Sequence, residues 1–443
     1  MNKYYLEKLN QQQIESLTKR PAIDFENISG IVKTVITDVK KGGDEAVNSY
    51  SERFDGVRLG KFLVSNVEID EAEARIPKDV KTAFRIAANN IEKFHSVARG
   101  RESGFTETTK GVTCFTKTVG IEKVGLYIPG GTAPLPSTVL MLAIPARLAG
   151  CKEIILCTPP QKDGKVSDII LYAAKLAGVT KIFKIGGAQA IAAMAYGTES
   201  VPKVYKILGP GNQYVTAAKM LVSIDPDGAA MDLPAGPSEV LVIADERANA
   251  EFVAADLLSQ AEHGPDSQVV LVCTDDNKSE EISGELVKQL KKLSRKDITA
   301  KALEKSFCLI VDGKSAEEKI RKAIEFSNKY APEHLIINIQ NPDSFAGKVV
   351  NAGSVFLGPF SCESAGDYAS GTNHTLPTYG YARMYSGVSI DSFVRKITFQ
   401  TLTAEGIRNL GETVETMADA EGLQAHKSAM TVRMKYLTNK NND

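Results

Sequence analysis

The sequence predicts an α/β protein with mostly parallel β-sheets, because short apolar runs alternate with helical patterns through the middle of the chain. Its 443 residues are enough for two large domains or about three average ones. Hydrophobic residues make up 43% of the chain and charged residues 24%, which is typical of folded globular proteins. From residue 121 to 275, short apolar runs alternate with helical spacing, and a glycine or proline follows most of the runs. This order predicts βαβ units with right-handed crossovers.

Six apolar runs in this region predict buried strands. They cover residues 125–128, 153–157, 181–185, 203–208, 239–244 and 268–273. Helical patterns separate them at 138–149, 167–177, 188–196, 214–222 and 248–263. Six strands are more than one small sheet needs, so we expect two α/β domains.

The two ends of the chain have a different pattern. The first 120 residues are more polar and mainly helical, with an amphipathic stretch from 81 to 99. After Asp391 the chain is again helical and charged, over 406–419 and 421–435, and no strand is expected there. Such a short tail cannot bury a core alone, so we expect it to pack on another domain or another subunit.

Charge and cysteine content exclude several classes of function. Lys and Arg total 53 against 54 Asp and Glu, so no cationic field is available to attract nucleic acid or anionic lipid. No apolar stretch approaches the roughly 20 residues of a membrane span, and the N-terminus lacks the apolar core of a signal peptide. The six cysteines form no C-x-x-C pair, which fits a reducing compartment. We therefore expect a cytoplasmic protein that acts on small molecules, with no nucleic-acid or membrane partner.

Histidine is scarce, and four of the five histidines lie in distinctive segments. These segments are SQAEHGPDS around His263, APEHL around His334, GDYASGTNHTLPT around His374 and AEGLQAHKSA around His426. His95 lies in the amphipathic stretch without such a context, so we interpret it as structural. Four such segments together indicate a functional site.

Gln260 and His263 are three residues apart near a predicted helix end, which places an amide oxygen and an imidazole on one face. This pair suits zinc but is only half a site, and alone it is also compatible with an ordinary surface helix end. Asp367, in a glycine-rich loop, and His426, in the tail, are candidates to complete a set of two nitrogen and two oxygen ligands.

Glu333 and His334 are adjacent just before the apolar run LIINI, so both are expected at the entrance of a strand. A carboxylate beside an imidazole at such a position suits general acid–base catalysis. The structural alternative is a capping glutamate next to a buried histidine.

The usual dinucleotide fingerprint is absent, because no G-x-G-x-x-G follows a predicted strand in the required register. Glycine-rich turns occur instead at 125–131, 184–190 and 208–214. Glycines at strand ends let backbone amides approach phosphate groups. They indicate a nucleotide or phosphate ligand only weakly, since such turns are common in α/β proteins.

Taken together, these segments resemble histidinol dehydrogenases. The longest matching block is MDLPAGPSEVLVIADERANAEFVAADLLSQAEHGPDS, over 231–267, and the blocks GLYIPGGTAPLPSTVLM and AEGLQAHKSAMTVR agree in order and spacing. The resemblance covers nearly the whole chain from about residue 20 onward. It implies a zinc enzyme that oxidises L-histidinol through L-histidinaldehyde to L-histidine and reduces two NAD, in the last step of histidine biosynthesis.

The resemblance also implies roles for individual residues. The implied zinc ligands, for one zinc per subunit, are Gln260, His263, Asp367 and His426. The equivalent of His426 comes from the other subunit of a homodimer, so the active sites are expected to be shared. Glu333 and His334 match the catalytic pair. Ser238 and Glu421 match residues that contact the substrate, and the four zinc ligands and His334 are implied to contact it as well. The residues implied to hold NAD are Tyr127, Gln189 and Asn212; His374 and Cys362 receive no assigned role.

The fold implied by the resemblance consists of two related, incomplete Rossmann-like domains of aldehyde-dehydrogenase-like type, one inserted in the other. We expect an N-terminal helical extension over 1–23 and a first domain, with the zinc and catalytic residues, over 24–120 and 236–385. The inserted NAD-binding domain is expected over 121–235. A C-terminal helical extension over 386–443 is expected to reach the partner subunit.

Three other functions are compatible with parts of the sequence. A metal-free relative of aldehyde dehydrogenases would use Cys362 as a thiol nucleophile, but this chemistry gives no role to the histidine segments. A zinc hydrolase would also use zinc, glutamate and histidine, but the glycine-rich strand ends disfavour it. A zinc-stabilised scaffold without activity would leave Glu333 and His334 without a role.

Overall fold

A computed structural model describes residues 1–20, 25–97, 104–130, 134–234 and 236–439. The chain forms two compact units. The larger unit contains Met1–Val97 and Ile121–Phe393, and the smaller unit contains Ala98–Gly120 and Val394–Asp443. Within the described ranges, no helix has the length and apolar character needed to cross a membrane.

The strands are β1 (Asn2–Tyr5), β2 (Thr106–Thr109), β3 (Val112–Gly120), β4 (Lys123–Tyr127), β5 (Glu153–Thr158), β6 (Lys181–Lys184), β7 (Lys206–Leu208), β8 (Ala230–Met231), β9 (Glu239–Ala244), β10 (Gln268–Cys273), β11 (Phe307–Ile310), β12 (His334–Asn338), β13 (Ser354–Leu357) and β14 (Val394–Leu402). The helices are α1 (Gln11–Thr18), α2 (Phe25–Asp55), α3 (Asn66–Arg75), α4 (Lys78–Ser96), α5 (Pro136–Leu148), α6 (Asp168–Ala177), α7 (Gly187–Tyr196), α8 (Gln213–Ser223), α9 (Ala250–Ala261), α10 (Asp276–Leu290), α11 (Lys296–Glu304), α12 (Ala316–Tyr330), α13 (Asp343–Ala346), α14 (Glu363–Tyr368), α15 (Ala404–Ala420) and α16 (Gln424–Asn439). Helix α2 is kinked at Gly43, whose φ is 52°.

The larger unit contains two parallel sheets with the same winding order. The five-stranded sheet runs β6-β5-β4-β7-β8, and the six-stranded sheet runs β1-β11-β10-β9-β12-β13. Apart from β1 at the edge of the six-stranded sheet, the chain in each sheet starts on a central strand, adds two strands on one side and then crosses to the other side. This is the doubly wound order of Rossmann-like folds, so the predicted α/β fold with two related sheets is confirmed.

The predicted central strands are confirmed because both faces of these sheets are covered, which requires continuous apolar runs. All six residues of β9 are buried, as are five of the six in β10. β9 and β10 have the predicted bounds, whereas β7 begins three residues later than predicted. The predicted helices of this region all form, and side chains cap two of them, Asn212 at α8 and Asn249 at α9.

The prediction of a purely helical N-terminal extension is wrong at its first residues. Residues 2–5 form β1, which pairs in parallel with β11 at the edge of the six-stranded sheet. The ring of Tyr4 packs edge-on against Phe307, with ring centroids 6.0 Å apart. The polar sequence NKYY has little strand signal of its own, so this strand depends on its tertiary partner.

The prediction that no strand follows Asp391 is also wrong. β14 pairs antiparallel with β3 along nine residues of each strand, and β2 completes a three-stranded sheet in the smaller unit. The rings of Phe115 and Phe399 stack with centroids 4.9 Å apart. The sequence VRKITFQTL is mostly exposed on this sheet, so it carries no continuous apolar run, and only its β-forming residues signal a strand. The helices predicted after it form as α15 and α16.

A buried ion pair fixes the turn that follows β7. Lys219 and Asp232 are each 1% exposed and lie 2.6 Å apart. The Lys219 ammonium donates to the carbonyl of Gly209, and the Asp232 carboxylate accepts the Gly209 N–H, both at 2.8 Å. Gly209 has a φ of +123°, and a Cβ there would lie 2.1 Å from the Tyr127 carbonyl oxygen. Only glycine fits this close crossing of two strand ends.

A second buried ion pair joins the N-terminal segment to β9. The guanidinium of Arg20 donates two hydrogen bonds to the Glu239 carboxylate, at 2.9 and 2.8 Å, and a third to the Tyr330 carbonyl at 2.8 Å. It also stacks on the Tyr330 ring, with its carbon 3.5 Å from the ring centroid. The two charged side chains are 5% and 2% exposed. Removing one partner would leave the other charge buried without compensation.

We predict that Arg20→Met lowers the free energy of unfolding by about 3–5 kcal/mol, because Glu239 keeps a buried charge without a counter-ion. Urea unfolding at pH 7 measures this change. The matched control is Arg58→Met, since Arg58 is 47% exposed and pairs with Glu45 and Glu52 at the surface. The control is expected to lose less than about 1 kcal/mol. Equal losses in the two variants would contradict the prediction.

Candidate active site and metal centre

Residues from both parallel sheets of the larger unit line a cavity of about 120 Å³. The loop after β7 contributes Pro210, the start of α5 contributes Thr138, and the remaining wall comes from elements around the six-stranded sheet. The residues predicted from the sequence that line this cavity are Ser238, Gln260, His263, Glu333, His334, Asp367 and His374. The structure therefore brings together segments that are more than 130 residues apart in the chain.

Glu333 and His334 stand at the amino end of β12, as their position before an apolar run predicts, and both are buried. β12 pairs with β9, so both residues contact Glu239, the first residue of β9. The backbone N–H of Glu239 donates to Glu333 Oε2 at 2.8 Å. The His334 Nδ1 atom lies 3.1 Å from the Glu239 carbonyl oxygen and 2.8 Å from the side-chain nitrogen of Gln260. These contacts direct the Nε2 atom of His334 toward Asp367.

The two members of the predicted pair at the end of α9 differ in exposure. Gln260 lies in the last turn of the helix and is 1% exposed, whereas His263 lies two residues beyond the helix end and is exposed. The backbone N–H of His263 donates to the Gln260 carbonyl at 3.3 Å, which keeps the chain in a helix-like turn past Ala261. Both side chains line the cavity.

Carboxyl groups surround the imidazole of His334. Burial by itself would lower the pKa of His334, but Glu333, Glu363 and Asp367 raise it well above its ordinary value. Burial raises the pKa of Glu333 and, more strongly, the pKa of Glu363. Burial also acts to raise the pKa of Asp367, but the neighbouring His334 holds it below its ordinary value. A region so rich in carboxyl groups attracts a cation.

The residues present fit a metal ion. Gln260 Oε1, Asp367 Oδ1 and His334 Nε2 are buried, and none makes a hydrogen bond; the last two lie 3.3 Å apart without hydrogen-bond geometry. The ligand atoms of His263, Glu363 and Asp367 lie within 4.8 Å of one another. Buried acceptors without partners require an explanation, and oxygen and imidazole ligands at this spacing suit zinc.

Glu363 is a residue of this cluster that the sequence analysis missed. It is 1% exposed, begins α14, and its Oε2 atom makes no hydrogen bond. The available signal was its position four residues before Asp367 in ESAGDY, which places both carboxylates on one face of a helix. Asp256 of α9 lies close enough to act on the charge of Glu363, and burial raises its own pKa to about 7.

His374, which received no role from the sequence, holds the backbone at Asp367. Its Nδ1–H donates to the Asp367 carbonyl at 2.8 Å, and its Nε2 accepts from the Thr138 hydroxyl at 2.9 Å. Burial lowers the pKa of His374, so the neutral ring that makes these two bonds is favoured. His374 therefore links α5 to the segment that carries Asp367.

The three residues predicted to hold NAD lie together at the carboxyl edge of the five-stranded sheet. Tyr127 ends β4, and its hydroxyl accepts the N–H of Gly187 at 3.0 Å. Gln189 lies in the first turn of α7, is fully buried, and neither atom of its side-chain amide makes a hydrogen bond. Asn212 caps α8 by accepting the N–H groups of Tyr214 and Val215, both at 3.1 Å. An orphaned buried amide beside a strand edge of this type fits a polar ligand.

The two remaining predicted residues belong to the smaller unit. Glu421 follows the end of α15, His426 lies in the first turn of α16, and both are exposed. Their assignment to the site stays a prediction. Cys362, the nucleophile of the aldehyde-dehydrogenase alternative, precedes α14 and is half-buried. It is not among the described residues that line the cavity.

Comparisons with known proteins agree with the resemblance of the motifs. The family model described as Histidinol dehydrogenase matches residues 18–434. A histidinol dehydrogenase of Bacteroides fragilis is 58% identical over 428 residues, which cover 97% of this chain and 98% of that protein. The chloroplastic histidinol dehydrogenase of Arabidopsis thaliana is 55% identical and aligns over 98% of this chain and 92% of its own.

A solved structure supports the same assignment at the level of the fold. The crystal structure of histidinol dehydrogenase from Elizabethkingia anophelis superposes with a TM-score of 0.93 at 53% identity and covers 99% of both chains. Identity at this level over almost the full length shows common ancestry as well as a common fold. The chain therefore belongs to the histidinol dehydrogenase family.

Proposed function

We propose that this chain catalyses the zinc-dependent oxidation of L-histidinol to L-histidine through L-histidinaldehyde, with reduction of two NAD, as the last step of histidine biosynthesis. The observation that carries the proposal is the set of buried atoms without partners, Gln260 Oε1, Asp367 Oδ1 and His334 Nε2, in a cavity of a chain of this family. Metal-binding oxygens and a base face the same small volume.

Gln260, His263 and Asp367 would hold the zinc ion from one chain, and His426 would complete the site from a second copy in a homodimer. Two observations support this proposal. His426 is exposed, and the metal-ligand cluster within the larger unit has only three members among the described residues. When bound, the metal supplies a positive charge and Lewis acidity that fix the nitrogen atoms and the hydroxyl of the substrate. Ser238 of the same cavity and Glu421 of the partner subunit would contact the substrate.

His334 is the proposed base for the alcohol. In the neutral tautomer that carries its proton on Nδ1, 3.1 Å from the Glu239 carbonyl, the Nε2 atom can accept the hydroxyl proton as hydride leaves the carbon. Neighbouring carboxylates raise the pKa of His334, against the effect of burial. A metal held by Asp367 would offset the charge of that carboxylate, so more of His334 would be in the neutral form that can accept a proton.

Glu333 is the proposed base for water. The second oxidation needs a water molecule to add to the aldehyde carbon before the second hydride leaves. One carboxylate oxygen of Glu333 is held by the Glu239 N–H, and burial raises the pKa of the group, which strengthens it as a base. Tyr127, Gln189 and Asn212 would hold the NAD that accepts each hydride.

Removing the metal tests the proposed function most directly. We expect two NADH per L-histidinol consumed, loss of this activity after treatment with a chelator, and recovery on addition of zinc. Gln260→Glu keeps an oxygen ligand and should retain zinc with lower activity, whereas His263→Asn should be purified with little zinc. Absorbance at 340 nm and elemental analysis give the two readouts, and Gln11→Glu at the exposed start of α1 is the matched control. Full zinc in His263→Asn with none in Gln260→Glu would contradict the ligand set.

The two oxidation steps are expected to separate by mutation. Glu333→Gln should slow the oxidation of L-histidinaldehyde by roughly 10²–10⁴-fold. It should slow the reduction of the aldehyde by NADH far less, because that reaction needs no attacking water. His334→Asn should slow both reactions, since each transfers a proton near the reacting carbon. Stopped-flow measurement of both directions decides the question, and an equal loss in both directions for Glu333→Gln would reject the division of roles.

Two inactive variants are expected to restore each other if the sites are shared. In a heterodimer of Glu333→Ala with His426→Ala, one site receives both lesions and the other receives neither. Random mixing puts half of the molecules in heterodimers, so about a quarter of all sites should have wild-type composition under two-fold symmetry. Co-expression with two different affinity tags isolates these heterodimers, and each variant alone is the control. If confirmed heterodimers are inactive, the sites are not shared, and His426 would belong to the site of its own chain.

A further inference from the structure

A second cavity of the larger unit, of about 400 Å³, lies at the carboxyl edge of the five-stranded sheet. Its walls come from the loops after β4 and β5, from the start of α6 and from Asp55 at the end of α2. Its lining begins two residues after Tyr127, so it lies next to the proposed NAD site. The inference below rests on the proposed use of NAD and adds the residue that would select this cofactor.

The walls of this cavity combine apolar side chains with the polar Thr158, Gln161, Lys162 and Ser167. Pro129, Val166 and Ile170 line it, and Pro159 is seated between two glycines. A Cβ at Gly130 would lie 2.4 Å from Pro159, and one at Gly186 would lie 2.5 Å from it. The volume falls within the roughly 300–1,000 Å³ of small-molecule sites. The apolar side chains offer a surface on which a purine base can pack.

Asp55 is the acidic side chain among the described residues that line this cavity. Its Oδ2 atom is buried and makes no hydrogen bond, and no ion pair of Asp55 occurs in the described part of the chain. Asp55 as a whole is half-buried, and burial raises its pKa to about 6. A buried carboxylate oxygen without a donor is costly, and a ligand with hydroxyl groups would relieve this cost.

The winding order of the sheet suggests which hydroxyls these are. In Rossmann-like folds an acidic residue near the end of the second strand in chain order binds the ribose of the adenosine half of NAD. β5 is that strand here, and the cavity-lining residues 158–162 that follow it include no acid. Asp55 reaches the same place from α2, which lies outside the βαβ units of this sheet.

We propose that Asp55 selects NAD by accepting hydrogen bonds from the 2′- and 3′-hydroxyls of the adenosine ribose in this cavity. A 2′-phosphate in this place would face the carboxylate without a buried counter-ion, since the cation that lines the cavity, Lys162, is exposed to solvent. The site is therefore selective against NADP. NADP differs from NAD only by its 2′-phosphate. The proposed contacts of Tyr127, Gln189 and Asn212 with the rest of the dinucleotide therefore do not distinguish the two cofactors.

Calorimetric titration of the zinc-loaded protein with NAD, with the analogue lacking the adenosine 2′-hydroxyl and with NADP tests the proposal. We expect the wild type to bind the 2′-deoxy analogue about tenfold more weakly than NAD, as for a hydrogen bond to a charged acceptor. Asp55→Asn should bind NAD about tenfold more weakly and should show little difference between NAD and the analogue. Its preference for NAD over NADP should fall by a similar factor. Glu52→Gln, an exposed carboxylate on the same helix, is the matched control and should behave as the wild type.

The outcomes separate this proposal from the one on which it rests. Wild-type protein that binds no NAD overturns both. NAD binding that is insensitive to the 2′-hydroxyl in the wild type, or that loses the same factor for both ligands in Asp55→Asn, overturns the role of Asp55 and leaves the proposed function intact. The wild-type comparison of NAD with its 2′-deoxy analogue decides the matter even if Asp55→Asn does not fold.

Discussion

The hydrogen bonds of Glu239 are the constraint on which the candidate active site depends. Its backbone N–H holds Glu333, and its carbonyl oxygen lies against the ring of His334, so one residue at the start of β9 orients both proposed bases. Both contacts require that β9 stays in register with β12. Burial of the charged Glu239 carboxylate at this position would be unfavourable by itself, but Arg20 and the N–H of Tyr379 compensate its charge. A segment far away in sequence thus stabilises the strand end that positions the chemistry.

The two sheets share one winding order but present opposite edges to the site. The six-stranded sheet contributes its amino edge, where β9 and β12 begin with Glu239 and His334. The five-stranded sheet contributes its carboxyl edge, where β4 ends at Tyr127 and the turn after β7 brings Pro210 to the metal cavity. The proposed dinucleotide on the carboxyl edge of one sheet would therefore extend toward the proposed bases on the amino edge of the other.

Much of this arrangement could be predicted from the sequence, and the reasons differ from element to element. Strands such as β9 are buried on both faces, so their continuous apolar runs are visible without any tertiary information. β1 and β14 form only because a partner strand accepts them, and their polar residues give no such run. The place of Glu333 and His334 at the start of β12 could be predicted because they precede an apolar run. Glu363 and the ion pair of Arg20 with Glu239 depend on distant partners, which spacing along the chain does not reveal.

The absence of a glycine fingerprint has a structural reason at the carboxyl edge of the five-stranded sheet. The fingerprint leaves free N–H groups at a helix start for the pyrophosphate. Here the first N–H of α7 is taken by the Tyr127 hydroxyl, and the first turn of α8 is capped by Asn212. Lys219 and Asp232 hold Gly209, in the turn between β7 and α8, against the Tyr127 carbonyl, so this turn cannot move without breaking a buried ion pair. With these amide groups already bonded, the proposed dinucleotide would be held mainly by side chains and cavity walls, including the amide of Gln189 and the carboxylate of Asp55.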